Sequence, residues 1–167
     1  MRVKLGEICE YVKGKTLVSE LTDKTYISTE NMLPNKMGIT LASSLPTVDQ
    51  TQIYKARDVL VSNIRPYFKK IWQAEWDGGC SADVLVFRAK AGIFQDYLYF
   101  VLSDDRFFEY AMATSKGTKM PRGDKTSIMQ YEVELPSYGE QVKIASVLSD
   151  LEAKIKLNTT INSNLAA

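Results

Sequence analysis

A basic segment of thirteen residues, from Lys116 to Ile128, carries the side chains that are best suited to bind phosphate. It contains four cations and one anion among two glycines, one proline and three hydroxyl residues. Glycine and proline favour tight turns, and a turn-rich loop lets ammonium groups and backbone N–H groups approach a phosphate closely. The net charge of the whole chain is only +1, so this positive charge is local. The segment indicates either a docking surface for an anionic partner or a charged loop that is simply solvated.

A second basic patch lies earlier in the chain, where Arg65, Lys69 and Lys70 flank a Pro-Tyr-Phe sequence. The sequence from Asn63 to Tyr67 invites comparison with the Asn-Pro-Pro-Tyr loop of amino-methyltransferases. The comparison fails, because an isoleucine and an arginine stand where that loop has one proline, and no glycine-rich loop able to hold S-adenosylmethionine precedes it. The patch is interpreted either as a basic surface that follows a buried strand or as an exposed hairpin tip that keeps the protein soluble.

Residues for catalysis and metal binding are scarce. The chain has no histidine, which removes the commonest general acid-base group near neutrality and the commonest transition-metal ligand. Its two cysteines, Cys9 and Cys80, are far apart and not in a metal-ligand spacing. No phosphate loop of the Gly-x-x-x-x-Gly-Lys-Ser/Thr type occurs, so ATP hydrolysis is not expected. We therefore expect no catalytic residue, no metal site and no cofactor, and an enzyme that relies on carboxylates alone is the remaining alternative in this class.

The composition is that of an ordinary globular domain. The 167 residues are 45% hydrophobic and 25% charged, which suffices for one core and excludes general disorder. No apolar run approaches the length of a membrane span, and the N-terminus lacks the apolar stretch of a signal peptide. The low cysteine content fits a reducing compartment, so we expect a cytoplasmic protein without a membrane partner. The near-zero net charge argues against a protein that binds nucleic acid non-specifically, but it allows a sequence-specific binding protein whose cations lie on one face.

The predicted elements place both basic segments between regular structures. Runs rich in β-branched and aromatic residues predict strands over 24–29, 58–64, 70–76, 83–88 and 130–135. The glycines at 78 and 79 predict a turn. Helical spacing over 94–102 predicts a helix, and Asp104 or Asp105 is expected to cap a second, shorter one. The polar stretch from Asn35 to Gln52 is predicted to be a long functional loop. This order predicts an α+β fold with a twisted, mostly antiparallel sheet and short helices.

A long C-terminal helix is predicted to begin after Ser137. Ser137 and Glu140 have the spacing of a capping box, in which each side chain satisfies a backbone N–H that the first helical turn leaves unpaired. Seven later residues alternate spacings of four and three and so form one stripe, namely Ile144, Leu148, Leu151, Ile155, Asn158, Asn162 and Leu165.

This stripe is predicted to pair with a second helix. About thirty residues of helix extend about 45 Å, which is longer than a domain of this size needs. The two asparagines of the stripe weaken its packing but fix register and orientation, as buried asparagines do in coiled coils. The alternative is an amphipathic helix that packs on its own domain.

Five segments, in this order, resemble the specificity subunits of type I restriction-modification systems. They are Tyr26–Met32, Asp58–Pro66, Cys80–Val86, Gly117–Asp124 and Leu135–Ile144. The chain resembles one half of such a subunit. The resemblance implies that residues 1–136 form a DNA target-recognition domain, which reads one half of a bipartite site in double-stranded DNA. It also implies that residues 137–167 form a conserved spacer helix that binds the methyltransferase subunits, with the ATP-dependent restriction subunit as an indirect partner.

Typical members of that family carry two recognition domains and two helices in one chain, whereas this sequence carries one set. It is therefore expected to be either a truncated form or a half-subunit whose helix pairs with that of a second copy. In the second case a two-fold homodimer would read a palindromic, interrupted site. The alternative function is a protein-interaction module that dimerises through the helix and does not read DNA.

With this resemblance, the two basic segments, from Arg65 to Lys70 and from Lys116 to Lys125, are expected to flank the DNA backbone. Phosphate contacts that set position without reading sequence are expected from Lys69, Lys70, Lys116, Lys119 and Lys125. Arg122 is the candidate for a base-edge contact, because a guanidinium can donate two hydrogen bonds to a guanine. Polar residues of the loop from Asn35 to Gln52 add to the readout. The alternative is that Arg122 and Asp124 pair internally and only hold their loop in shape.

Overall fold

Three small sheets form the framework of the molecule, whose computed structural model describes residues 1–167. The strands are β1 Arg2–Lys4, β2 Cys9–Tyr11, β3 Lys15–Leu17, β4 Tyr26–Ile27, β5 Gln50–Tyr54, β6 Val59–Ser62, β7 Ile71–Gln73, β8 Gly78–Cys80, β9 Val84–Ala89 and β10 Glu132–Glu134. One antiparallel sheet has the order β2-β9-β6-β7. A second has the order β3-β5-β8-β4, in which only β4 and β8 are parallel. β1 and β10 form an antiparallel pair.

The strands β6 and β9 supply two hydrophobic cores at once. Successive side chains of a strand point to opposite faces, so alternate residues serve different cores. Val59, Val61 and Phe87 belong to a first cluster of 16 buried residues. Leu60 and Val86 belong to a second cluster of 9 buried residues. The sheet that carries β6 is therefore covered on both faces, which explains why its strands are nearly continuous hydrophobic runs.

Five α-helices complete the α+β fold predicted from the sequence. They are α1 Leu5–Ile8, α2 Gln95–Ser103, α3 Asp105–Ala113, α4 Lys125–Ile128 and α5 Tyr138–Leu165, and short 3-10 helices lie at Val18–Glu20 and Pro66–Phe68. The predicted caps are confirmed. The Asp104 carboxylate accepts a hydrogen bond from the Arg106 N–H at 2.9 Å. The Ser137 and Glu140 side chains bond reciprocally to each other's backbone N–H groups. No helix is both long and apolar enough to cross a membrane.

Several local predictions need correction. The predicted turn at Gly78 and Gly79 is wrong, because both residues lie in β8 between β5 and β4. A Cβ at Gly79 would lie 2.7 Å from Leu21 Cδ1 and 2.8 Å from Thr51 Cγ2, so glycine is needed there for close packing. The predicted strands at 24–29, 58–64, 70–76 and 130–135 each contain a shorter observed strand, and the one at 83–88 overlaps β9, which runs one residue further. The last three residues of the predicted loop 35–52 belong to β5.

The first of those strands ends early because of one buried side chain. Asn31 is 4% exposed, and its carboxamide oxygen accepts the Ser28 N–H at 2.6 Å. Its amide nitrogen donates to the carbonyl oxygens of Tyr26 and Thr40, each at 3.0 Å. These bonds turn the chain out of the sheet after Ile27 and anchor the start of the long loop.

Candidate functional site

The two basic segments meet through their backbones. The Arg65 N–H donates to the Pro121 carbonyl at 2.8 Å, and the Gly123 N–H donates to the Asn63 carbonyl at 3.2 Å. Ile64 and Arg122 form an antiparallel bridge between these two bonds. We call this contact the clasp. It joins the turn after β6 to the segment before α4, so residues that are distant in the sequence lie side by side.

A glycine makes the clasp possible. A Cβ at Gly123 would lie 2.6 Å from Asn63 Oδ1 and 2.8 Å from Ile128 Cδ1, closer than non-bonded carbon atoms approach. Asn63 and Ile128 are both buried, so neither side chain has free space to move into. The close approach of the two backbones therefore depends on glycine at this position.

The basic loop is closed by a second bridge at its base. Lys116 and Arg122 exchange two backbone hydrogen bonds, each 2.9 Å long. Gly117 has a φ of +93°, a conformation that favours glycine. The tip between these residues carries Lys119, which is exposed and forms no ion pair. The loop therefore presents an unpaired ammonium group at its outermost point.

Internal ion pairs hold the sides of this loop. Lys116 Nζ lies 2.7 Å from Asp124 Oδ2, and Arg122 Nη1 lies 3.3 Å from Asp83 Oδ1. The Asp124 carboxylate also accepts the Ser127 N–H at 2.8 Å and so caps α4, which is why the predicted loop ends in a helix. The Lys116 ammonium and then the Ser127 N–H lower the pKa of Asp124 to about 2. Arg122 and Asp124 are thus both paired internally, but with other residues and not with each other.

The patch around the 3-10 helix Pro66–Phe68 is more fully engaged. Lys69 Nζ lies 3.0 Å from Asp105 Oδ1. Lys70 Nζ donates to the Thr29 carbonyl at 2.7 Å, and burial lowers the pKa of Lys70. Arg65 is partly buried, has a φ of 50° and begins the clasp with its N–H group. These cations tie loops together in the free protein.

The seven predicted cations therefore fall into two groups. Lys119 and Lys125 are exposed and form no ion pair, and the Arg122 side chain remains 52% exposed beside Asp83. The others are held by carboxylates, a carbonyl or partial burial, namely Lys116, Arg65, Lys69 and Lys70. The structure thus brings both segments together, yet only part of their charge is free to meet a ligand.

Helix α5 docks on the domain through polar residues that its hydrophobic pattern does not reveal. Gln141 is 2% exposed, its Oε1 accepts the Phe94 N–H at 2.9 Å, and its Nε2 donates to the Pro136 carbonyl at 3.1 Å. One turn later Ala145 is buried against the domain. Further along, the Tyr99 hydroxyl donates to Glu152 Oε1 at 2.9 Å. Spacings of four and seven place Gln141, Ala145 and Glu152 on one face of the helix.

The predicted pairing stripe lies beside this docked face and is largely open. Ile144 is 39% exposed, Leu151 is 51% exposed and Ile155 is 62% exposed, while Leu148 is partly covered by the domain. Asn158, Asn162 and Leu165 lie in the last part of the helix, where every residue from 153 to 167 is exposed. The alternative of an amphipathic helix packed on its own domain therefore describes only the first half of α5.

Known proteins share this architecture. The family described as "Type I restriction modification DNA specificity domain" matches residues 1–167. The chain belongs to this family. The "Type I restriction enzyme HindI specificity subunit" of Haemophilus influenzae is 26% identical over 170 residues, which is 96% of this chain. The "Type I restriction enzyme MjaVIII specificity subunit" of Methanocaldococcus jannaschii is 25% identical over 182 residues, which is 98% of this chain. The specificity domain spans 37% of the length of each of these relatives.

Solved structures share the fold. The HsdS subunit from Thermoanaerobacter tengcongensis superimposes with a TM-score of 0.71 at 20% identity, over 93% of this chain and 43% of that one. The type I S subunit from M. genitalium gives a TM-score of 0.65 at 16% identity, over 93% of this chain and 40% of that one. The relatives are named as specificity subunits, which agrees with the predicted non-catalytic recognition component.

Proposed function

We propose that this specificity domain recognises one half of a bipartite site in double-stranded DNA. In this proposal it directs partner methyltransferase subunits, and through them an ATP-dependent restriction subunit, to that site in the cytoplasm. The observation that carries the proposal is the clasp, because it gathers two basic segments on one surface of a nearly neutral chain. Family membership supports the same conclusion.

The exposed cations have different proposed roles. Lys119 and Lys125 contact phosphates and set the position of the DNA, since an ammonium carries no base preference. Arg122 contacts a base edge in the major groove, because its guanidinium donates paired hydrogen bonds to guanine. Asp83 holds that guanidinium in place before binding. Lys70 and Lys116 add positive potential next to the backbone.

Residues 1–136 are the proposed recognition domain and residues 137–167 the proposed spacer. The open stripe of α5 pairs with a second helix of the same kind, supplied by a second copy of the chain. The exposure of Leu151 and Ile155 supports this pairing, because a partner helix would remove these large apolar side chains from water. The same stripe favours a second candidate function, a protein-interaction module that dimerises without reading DNA.

Reconstitution with the cognate methyltransferase subunits tests the proposal. Genome-wide mapping of methylated positions is expected to show a symmetric, interrupted motif. A homodimer that forms without any methylated motif and without DNA affinity would favour the interaction module instead.

Two substitutions test the residue roles by titration of duplex DNA. Arg122→Ala is expected to relax the preference at one base position by about 1–3 kcal/mol. Lys119→Ala is expected to weaken binding to all DNA sequences alike. It should also reduce the slope of log affinity against log salt concentration by about one, which corresponds to the loss of one phosphate contact. Lys154→Ala is the matched control, because Lys154 is also exposed but lies on the free part of α5. Equal effects of Lys119→Ala and Lys154→Ala would show that the DNA lies elsewhere.

A further inference from the structure

Two lysines from separate loops converge on one carboxylate oxygen at the edge of the basic surface. Lys36 Nζ lies 2.8 Å from Asp105 Oδ1, and Lys69 Nζ lies 3.0 Å from the same atom. The two lysine side chains are only 31% and 33% exposed, whereas Asp105 is 55% exposed. Two ammonium groups face one carboxylate, so the cluster has an excess positive charge. The neighbouring Asp104 is paired with Arg106 at 2.8 Å, and Arg106 followed by Lys36 lowers the pKa of Asp104, so Asp104 offsets the excess charge only in part.

The backbone presents these two lysines at an energetic cost. Lys36 has a φ of 60° and Lys69 has a φ of 52°, in the left-handed region that glycine adopts freely. A side chain there costs about 1 kcal/mol at each position relative to glycine. The Lys36 N–H donates to the Lys69 carbonyl at 2.8 Å, and the Asn35 N–H donates to the Phe68 carbonyl at 2.8 Å. The paired loop backbones therefore hold the two lysines side by side, and both ammonium groups reach one carboxylate.

This cluster is continuous with the clasp. The 3-10 helix Pro66–Phe68 has Arg65, which begins the clasp, at one end and Lys69 at the other. Helix α3 runs from Asp105 to Ala113, just before the basic loop begins at Lys116. The same short elements therefore border the cluster and the proposed DNA surface.

We propose that Lys36 and Lys69 form a binding site for a DNA phosphate, which the Asp105 carboxylate occupies in the free protein. The inference rests on the proposed function and deepens it by adding Lys36 as a contact and Asp105 as a competing anion. A phosphodiester carries one negative charge on two outer oxygens, so it can accept hydrogen bonds from both ammonium groups, as the carboxylate does. Hydrogen bonds from Lys36 and then Lys69 lower the pKa of Asp105, which therefore stays charged and competes at neutral pH.

A purely structural ion cluster predicts the opposite result. If Asp105 only ties the two loops to α3, its removal loosens both lysines and weakens any binding by the neighbouring surface. If Asp105 competes with phosphate, its removal frees both lysines and strengthens DNA binding. The sign of the change in affinity therefore separates the two roles.

The experiment is titration of a mixed-sequence duplex DNA probe with the full chain and its Asp105→Asn variant, at low and high salt. The variant is expected to bind about three- to tenfold more tightly at low salt, with the gain shrinking at high salt because salt screens the freed charge. Glu109→Gln is the matched control, because Glu109 is an exposed acid on the same helix and forms no ion pair. It is expected to change the affinity far less.

Lys36→Met provides the complementary variant. It is expected to weaken binding severalfold and, combined with Asp105→Asn, to cancel much of the gain. Unchanged or weaker DNA binding by Asp105→Asn, or an equal gain in affinity from Glu109→Gln, would overturn the inference. The proposed function would still stand in that case, as long as the wild-type chain binds DNA. Absence of DNA binding by the wild-type chain, even with methyltransferase subunits, would instead remove the proposed function and this site with it.

Discussion

The basic loop keeps its shape through contacts between segments that are far apart in the sequence, whereas helix α5 forms through contacts within a few residues. The loop depends on Asn63, Arg65 and Asp83, each of which lies on another element. Helix α5 forms through its capping box and its own backbone bonds, and the Gln141 and Glu152 side chains dock its first half on the domain. A substitution at the clasp should therefore disturb a whole surface, while one on the free part of α5 should change only what the helix binds.

The largest effect is expected at Gly123. Gly123→Ala places a Cβ against Asn63 Oδ1 and Ile128 Cδ1, so we expect it to lower the free energy of unfolding by about 2–3 kcal/mol and to weaken DNA binding. Gly139→Ala is the control, because a Cβ there meets no atom within 4 Å and the residue is helical. Urea unfolding of both variants measures the difference. Equal stability of the two variants would show that the clasp tolerates a side chain.

Gln141 tests one of the long-range contacts that hold the first half of α5 on the domain. Gln141→Leu keeps the volume but leaves the Phe94 N–H without its acceptor, so we expect a loss of about 1–2 kcal/mol. We also expect faster amide exchange in the first turns of α5 than in the wild type. Gln50→Leu is a suitable control, since Gln50 is exposed and its side chain forms no hydrogen bond in the structure. If the exchange of α5 does not change, the other docking contacts, including the Tyr99–Glu152 hydrogen bond, hold the helix without Gln141.

The difference between these regions also decides what could be predicted from the sequence. The caps at Asp104 and Ser137 and the helical spacing of α2 and α5 are local, and the structure confirms them. The clasp was not predictable, because no local pattern shows that Ile64 and Arg122 form a bridge. Gln141 was missed for a related reason, since a buried glutamine and an exposed one look the same in a hydrophobic pattern.

The basic segments show the same limit for side-chain chemistry. Their charge was visible in the sequence, but the partners of Lys69 and Arg122 were not, because Asp105 and Asp83 lie on other elements. A sequence can therefore locate a basic surface but cannot separate its free cations from its paired ones. For the same reason Lys36 could not be predicted as part of that surface.

Substitutions on the free part of α5 are expected to change the binding of a partner helix and not the stability of the fold. Ile155 lies on the open stripe, so Ile155→Asp is expected to prevent the proposed dimerisation while changing the free energy of unfolding by less than about 0.5 kcal/mol. Leu157→Asp is the matched control, because Leu157 has a similar exposure, 59% against 62%, but lies on the far side of the helix. Sedimentation equilibrium at several chain concentrations checks both. Dimers that survive Ile155→Asp would place the interface elsewhere.

The smallest effect is expected from protonation of one carboxylate of the basic loop, Asp124. The pKa of Asp124 is lowered from 3.8 to about 2, mainly by the Lys116 ammonium. A carboxylate with a lowered pKa in the folded state stabilises that state above its ordinary pKa, and this contribution is lost as the pH falls through the folded value. We therefore expect the loop to lose the stabilisation by this ion pair between about pH 4 and pH 2.

Asp124→Asn isolates this contribution, because asparagine keeps the cap of α4 but cannot be charged. The wild type should be the more stable protein at neutral pH, and the difference between the two should shrink as the pH falls through that range. Amide exchange at Ser127 and thermal unfolding over a pH series measure it. If the two proteins show the same acid response, the Lys116–Asp124 pair does not stabilise the loop, and the clasp alone maintains its shape.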